Sequence, residues 1–510
     1  MPTPPNVSPA AFAAALTAWR QAVGPEWVFT SAEDVALYRD FYSPFWGEPE
    51  ERVASAAVAP ATLEQVQAVV RAANQHRIPL YPISTGRNLA YGGSAPVYSG
   101  SVVLDLKRMN RVIEVSERNA YALVEPGVSY FDLYKHITKQ GLDVWIDPPD
   151  PGWGSVIGNA LDGGAGWTAS PFRDHFGSHC GMEVVLANGE VVRTGMGALP
   201  SSKTWQQNRW GFGPWVDGLF RQSNFGVVTK MGIYLMPRPE AMVTGTATTD
   251  RDENIVPMLD VLNLLENQHV VNGSTQIFGG PPGRPAAHSP AWTCDVPIYG
   301  PERVVRAQLD YAKRKFTAIP GVNFVEGELF RTPLSPETLK RVHLVNFGIP
   351  NLSTFALVGR SPGNPNPAGG HIDFSPIVPR TGESLLEFKR FYHDNLLKVS
   401  GGENLGIAGP VYMTCWERTL VCLIMFPIGR DKEHNAKIRR AFESWVRLAA
   451  ERGWAEYRAP AAFQDLIADT YSYNHNALRR LRETLKDAVD PNGILSAGRY
   501  GVWPKHLRKV

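Results

Sequence analysis

Ser84-Thr85-Gly86-Arg87-Asn88, followed by Tyr91-Gly92-Gly93-Ser94, has the composition of an anion cradle. Glycines at 86, 92 and 93 remove side chains where the backbone must turn and approach a ligand. Successive backbone N–H groups in such a loop form a concavity suited to a pyrophosphate. The loop lacks the Lys-Ser/Thr ending of a nucleotide-triphosphate P-loop. A tight surface turn is the competing reading. Asp147-Pro-Pro-Asp150-Pro-Gly-Trp-Gly154-Ser155 holds two carboxylates on a stiffened backbone, so a side chain there could be aimed at a bound reactant. A solvated turn, with Asp as the natural turn residue, accounts for the same letters. His371, in Gly369-Gly370-His371-Ile372-Asp373-Phe374-Ser375-Pro376, sits at the mouth of a predicted strand, where a lone histidine is more often structural than functional. Tyr457-Arg458, after a helix, reads as a solvated end.

Two further patterns fail on inspection. Gly164-Ala-Gly166-Trp-Thr-Ala169 matches GxGxxA, but a dinucleotide fingerprint needs a helix after it, and Pro171 interrupts one. His175 and His179, with Asp174 and Cys180, suggest a metal. No HExxH glutamate lies between them and no second ligand cluster exists, so ordinary packing or hydrogen bonding is the expectation.

The elements that must position these groups follow from local pattern. Thr62–His76 carries apolar residues at helical spacing with Thr62 as N-cap. Ser101–Leu106 and Tyr121–Val124 read as strands. Ser129 opens a helix, with Asp132 completing a weak capping box. In Glu183–Arg193, Asn188-Gly189 between β-branched runs predicts a hairpin. Strands and helices mix without regular βαβ alternation, which favours α+β over a doubly wound sheet. At Met236-Pro-Arg-Pro-Glu240 the character changes, and Thr244–Thr249 is a β-type segment, so a domain boundary is placed there. Helices are predicted at Pro301–Ala318, Ser384–Val399, His434–Arg452 and Asn476–Val489, the last stopped by Asp490-Pro-Asn-Gly493. Proline- and glycine-rich loops at 280–290 and 361–370 interrupt the second region.

A chain of 510 residues exceeds one hydrophobic core, so at least two domains are expected. A net charge of +2 argues against nucleic acid or an anionic membrane as partner. The four cysteines form no CxxC pair, and buried free thiols are the default. No apolar run reaches the roughly 20 residues of a membrane span. The N-terminal residues lack the positive start of a secretory signal, so a cytoplasmic location is expected.

Taken in order, GRNxxYGG, EPGVSYFDL, DPPDPGWGSVIGN, GMEVVLANGEVVRTGMGALP, the Ser223–Gly232 run, GGHIDFSP, AEYR and VDPNGIL resemble the vanillyl-alcohol oxidase and p-cresol methylhydroxylase family of flavoenzymes. The likeness covers most of the chain and is greatest to the eugenol-oxidase and 4-alkylphenol branch. It implies a bipartite FAD-binding domain from residues 1–238 and 455–510, with an inserted α+β cap domain at 239–454. It implies that Ser84, Thr85, Gly86, Arg87, Asn88 and Gly92 wrap the FAD pyrophosphate. Gly154, Ser155, Gly158, Asn159 and Arg499 would also contact the cofactor, and His371 would hold it covalently. Tyr91, Tyr457 and Arg458 would bind a substrate phenolate, and Asp150 would serve as acid/base near flavin N5 and the benzylic carbon. The implied reaction is oxidation of para-substituted phenols (4-alkylphenols, 4-hydroxybenzylic alcohols, allylphenols) through a p-quinone methide, with oxygen as acceptor. A cytochrome c partner, as in the methylhydroxylases, is the near alternative; a flavin-binding protein with altered catalysis is another. Relatives are commonly homodimers.

The phenolate trio also has an independent physical case. A phenol with pKa about 10 needs roughly 3 units, about 4 kcal/mol, to be held ionised at neutral pH. One hydrogen bond to a charged group supplies about 1.5–3 kcal/mol, so two phenols plus a permanent guanidinium suffice where one tyrosine does not. The chain departs from the family in three places. It lacks a paired histidine in Met413–Arg418, it reads GGAGWTASPFRDH where relatives read RGVGYTPYGDH, and Asp373 stands where relatives have a small or aromatic residue. The last is expected to change pocket polarity beside the flavin.

Overall fold

The computed structural model describes residues 3–280, 290–353, 369–416 and 418–508. Most of each expected proline- and glycine-rich loop, residues 281–289 and 361–368, lies outside the described residues, as does Glu417. A small sheet places the strand Val102–Asp105 between Ala57–Val58 and Leu80–Ile83, both parallel to it. The helix Leu63–His76 packs here through Val66, Val69, Val70 and Ala73. Thr62 caps it by accepting from Gln65 N–H, and Arg77 ends it in the left-handed region. Leu80–Ile83 delivers the chain into the Ser84–Ser94 loop.

An antiparallel five-stranded sheet follows, in the order Val112–Ser116, Tyr121–Val124, Val227–Tyr234, His179–Val185, Val191–Arg193. The hairpin at Asn188-Gly189 is present, with Gly189 at φ +80°. The helix Tyr130–Gln140 begins with a full Ser129/Asp132 capping box.

The largest sheet has ten strands, with Val322–Glu326 at one edge and Ala455–Glu456 at the other. Behind it lie helices Ile255–Asn267, Glu302–Thr317, Gly382–Val399 and Lys432–Ala450, around a core that includes Trp292, Phe374, Phe388, Phe442 and Trp445. The last three differ from the expected bounds by a residue or two, as fraying ends do, whereas Ile255–Asn267 was not expected. Strand Gly370–Phe374 pairs with Thr419–Ile428, setting His371 opposite Pro427 and Asp373 opposite Met425. Ala455–Glu456 pairs with Pro376–Pro379, so Tyr457 and Arg458 leave the sheet directly beside Ser375.

The chain then returns to its first half. Leu80 N–H donates to Ile494 O, and Ser496 N–H donates to Leu80 O. Asn224 Nδ2 donates to Ser496 O and Val502 O. The buried Lys486 ammonium saturates its three donors on Asn224 O, Leu495 O and Asp490 Oδ2. Among the described residues, no helix is long and apolar enough to cross a membrane.

Candidate functional site

The Ser84–Ser94 loop is a tight turn with glycine at the positions that need it. Gly86 has φ +68°, and a Cβ there would lie 2.0 Å from Ser94 Oγ. Asn88 O accepts from Tyr91 N–H and Gly93 N–H, so those two donors serve the turn itself rather than a bound anion. Ser84, Thr85, Gly86, Arg87 and Asn88 line a narrow cleft of about 160 Å³. Gly154, Ser155, Gly158, Asn159 and Arg499 line it from the other sides. Gly158 lets the helix Val156–Leu161 approach the loop, because a Cβ there would fall 2.1 Å from Ser84 Oγ. Ser155 caps that helix through Gly158 N–H and donates to Pro126 O. Gly92 is placed off the cleft, with φ +112° and its would-be Cβ against Ala461.

The narrow cleft opens into a wider cavity of about 690 Å³, with Arg87, Asn88, Gly154 and Asn159 bordering both. Tyr91, Asp150, His371, Tyr457 and Arg458 all line this wide end. The stretch expected as a solvated helix end is therefore half-buried: it leaves a strand rather than a helix, and both residues line the cavity. The guanidinium of Arg458 lies 3.8 Å over the Tyr91 ring. Burial pushes the phenols of Tyr91 and Tyr457 above their usual range, so both serve as neutral donors. Burial works against the charge of Arg458, but its ion pair with Asp162 outweighs it and holds its pKa above the ordinary value.

Asp162 is the residue that fixes this geometry, and it was not legible beforehand. Its Oδ2 accepts from Arg458 Nε (3.0 Å) and Asn88 Nδ2 (2.7 Å). Its Oδ1 accepts from Arg499 Nη2 (2.7 Å) and Tyr500 Oη (2.9 Å). Arg458 Nη2 also donates to Asn88 Oδ1 at 2.6 Å. One buried carboxylate thus binds two guanidiniums, and the cluster keeps one net positive charge. Burial pushes the nearby carboxyls of Asp373 and Glu456 up, against the opposing pull of His371 and Arg458 on Asp373 and of the Ser375 N–H on Glu456.

The two carboxylates of the 147–155 turn go separate ways, and neither is solvated. Asp147 Oδ1 accepts from Trp167 N–H, Thr168 N–H and Thr168 Oγ1, and Asp147 Oδ2 lies 2.9 Å from His175 Nε2. This fixes Trp167 in the cavity wall. Asp150 Oδ2 lies 2.8 Å from Nε2 of His343, a second residue the sequence did not mark. His179 Nε2 lies 3.0 Å from Asp217 Oδ2. Among the described residues, no group of three or more His, Cys, Asp or Glu could hold a metal ion. All four cysteines are free and buried, and Cys415 borders the cavity.

The joined cavities suit an elongated dinucleotide with a planar ring at the wide end. A Cβ on Gly154 would meet no atom within 4 Å, so the backbone there borders open space. At the wide end His371 Nδ1, Asp373 Oδ1 and Ser375 Oγ are buried without a hydrogen-bond partner among the described residues. Such orphan atoms call for a bound polar group.

Comparison with known proteins agrees with this shape. Residues 54–195 match an FAD binding domain family. The chain is 32% identical to the 4-cresol dehydrogenase [hydroxylating] flavoprotein subunit of Pseudomonas putida, over 98% of this chain and 97% of that protein. It superposes on 4-ethylphenol oxidase from Gulosibacter chungangensis, solved as an isoeugenol complex, with TM-score 0.88 and 33% identity, covering 99% of this chain and all of that one (100%). Against p-cresol methylhydroxylase with substrate bound the TM-score is 0.85 and the identity 30%, covering 98% of this chain and 99% of that one.

Proposed function

Because the chain belongs to the p-cresol methylhydroxylase and vanillyl-alcohol oxidase family of FAD-dependent oxidoreductases, we propose that it oxidises para-substituted phenols at the benzylic carbon, with oxygen as acceptor. The observation that carries this reading is the stacking of Arg458 on Tyr91 in a cavity shared with Tyr457. Residues 1–238 and 455–510 form the FAD-binding part and residues 239–454 the cap; the cap holds the ten-stranded sheet except its edge strand Ala455–Glu456. Ser84 to Asn88, Gly154, Ser155, Gly158, Asn159 and Arg499 hold the dinucleotide, and His371 is the covalent anchor of the ring. Bound FAD supplies the hydride acceptor.

Tyr91 and Tyr457 donate to the phenolic oxygen, and Arg458 gives it a cation. The Arg458–Asp162–Arg499 cluster keeps one positive charge, so a phenolate entering this pocket neutralises it. The substrate oxygen is thereby held ionised, electron density moves to the para position, and the benzylic hydride becomes a better leaving group. Loss of that hydride leaves a p-quinone methide, to which water adds or from which a proton is lost. Asp150 handles that proton.

Anaerobic addition of a 4-alkylphenol should bleach the oxidised flavin absorption, and no bleaching with any para-substituted phenol would reject the reading. The relatives include both an oxidase and a dehydrogenase by name, and aerobic reoxidation separates the two. Return of the oxidised spectrum within seconds is expected; a return over many minutes would point to a cytochrome c acceptor.

A further inference from the structure

The Asp150 carboxylate is shut away from bulk water, with its side chain 1% exposed, whereas the His343 side chain 2.8 Å from it is 35% exposed. Both border the wide cavity, one from the first half of the chain and one from the segment after the large sheet's early strands. The imidazole is held edge-on against Trp167, with ring centres 5.2 Å apart. Trp167 is itself fixed by its N–H bond to Asp147. Ser353 Oγ also donates to Asp150 Oδ2, at 3.2 Å. A buried acid/base must exchange its proton through some neighbour once per turnover. Among the described neighbours of Asp150, the half-exposed imidazole is the one with two nitrogens, Nε2 facing the carboxylate and Nδ1 left to exchange a proton elsewhere.

Resting on the function proposed above, we infer that His343 is the proton outlet of Asp150. As water adds to the quinone methide, its oxygen bonds to the benzylic carbon and one of its O–H bonds breaks. The proton goes to Asp150 and from Asp150 to Nε2 of His343. Nε2 accepts it in the tautomer that carries its proton on Nδ1; the imidazolium then loses the Nδ1 proton to bulk water, and exchange of the neutral ring between its two tautomers through solvent frees Nε2 for the next turnover. The ring oxygen regains a proton from solvent, so the step is a net addition of water with no change in redox state. His343 acts through Asp150 and is a positioning and relay residue.

A single-turnover experiment with 4-methylphenol isolates the step, because that substrate has no second side-chain carbon to lose a proton from. Flavin bleaching reads hydride loss, and quenched samples read 4-hydroxybenzyl alcohol. In His343→Gln, alcohol formation should lag bleaching by at least about tenfold relative to wild type, the scale of a lost acid/base relay. In His343→Ala, added imidazole should restore the alcohol rate, an effect that a structural role would not show. Ser353→Ala should leave the lag absent. Alcohol forming in step with bleaching in both His343 variants would overturn the relay while leaving the phenol-oxidation reading intact. So would a lag that imidazole fails to shorten, a lag in Ser353→Ala alone, or loss of bleaching in both variants. No bleaching in the wild type would overturn the underlying reading and the relay with it.

Discussion

Arg458 Nε and the carboxylate of Asp162 meet at 3.0 Å, although the two residues are nearly three hundred positions apart in the chain. The same carboxylate holds Arg499 at 2.7 Å. Removing it would leave two partly buried guanidiniums without their shared counter-ion. Asp162→Ala is therefore expected to destabilise the protein by about 3–5 kcal/mol, measured by denaturant unfolding, whereas Arg458→Ala should cost less because Asp162 keeps its other donors.

Arg458→Ala should act mainly on chemistry. Loss of one charged hydrogen bond of about 1.5–3 kcal/mol predicts a roughly 10- to 100-fold slower flavin reduction by a 4-alkylphenol. Tyr91→Phe should slow the same step in the same direction with little change in unfolding midpoint. Anaerobic stopped-flow reads both. Equal rates in variant and wild type would remove the trio from the mechanism.

His371→Ala should release FAD into the supernatant on acid precipitation, while the wild type retains it in the pellet. Equal release from both would mean that no bond is made at this histidine.

Asp40 gives a pH prediction away from the chemistry. It is buried, accepts from Tyr42 N–H, and its carboxyl is pushed up by burial to about 6. The folded state then binds a proton that the unfolded chain, with an ordinary carboxyl near 4, has already lost. Its contribution is most favourable below about pH 4 and weakens as pH rises to about 6, by about 3 kcal/mol in all. Asp40→Asn keeps the acceptor for Tyr42 N–H and removes the titration. The difference in unfolding free energy between variant and wild type should therefore move in the variant's favour across that window. A pH-independent difference would show that Asp40 is ionised throughout.

Local signals in the sequence gave true local structure. Thr62 and Ser129 cap their helices, Asn188-Gly189 turns its hairpin, and Ser84–Asn88 borders a cleft. The motifs also identified the family, because several long motifs in fixed order carry more information than any one of them. What stayed hidden depends on partners far apart in the chain. Asp162 ends a short helix and reads as an ordinary polar cap, yet its partners are at 88, 458, 499 and 500. His343 lies in a segment without periodic pattern, and its partner is 193 positions away. Asp147 and Asp150 share one turn but face different neighbours, a split that three-residue spacing does not encode.

The convergence of Asn88, Arg458, Arg499 and Tyr500 on a single carboxylate means that this cluster closes only once residue 500 has been synthesised. Synthesis up to Glu456 yields every strand of the largest sheet but lacks the guanidiniums that would tame an aromatic anion. A product ending there would carry most of the wide cavity's wall without that charge, and on the function proposed above it would not hold a phenolate.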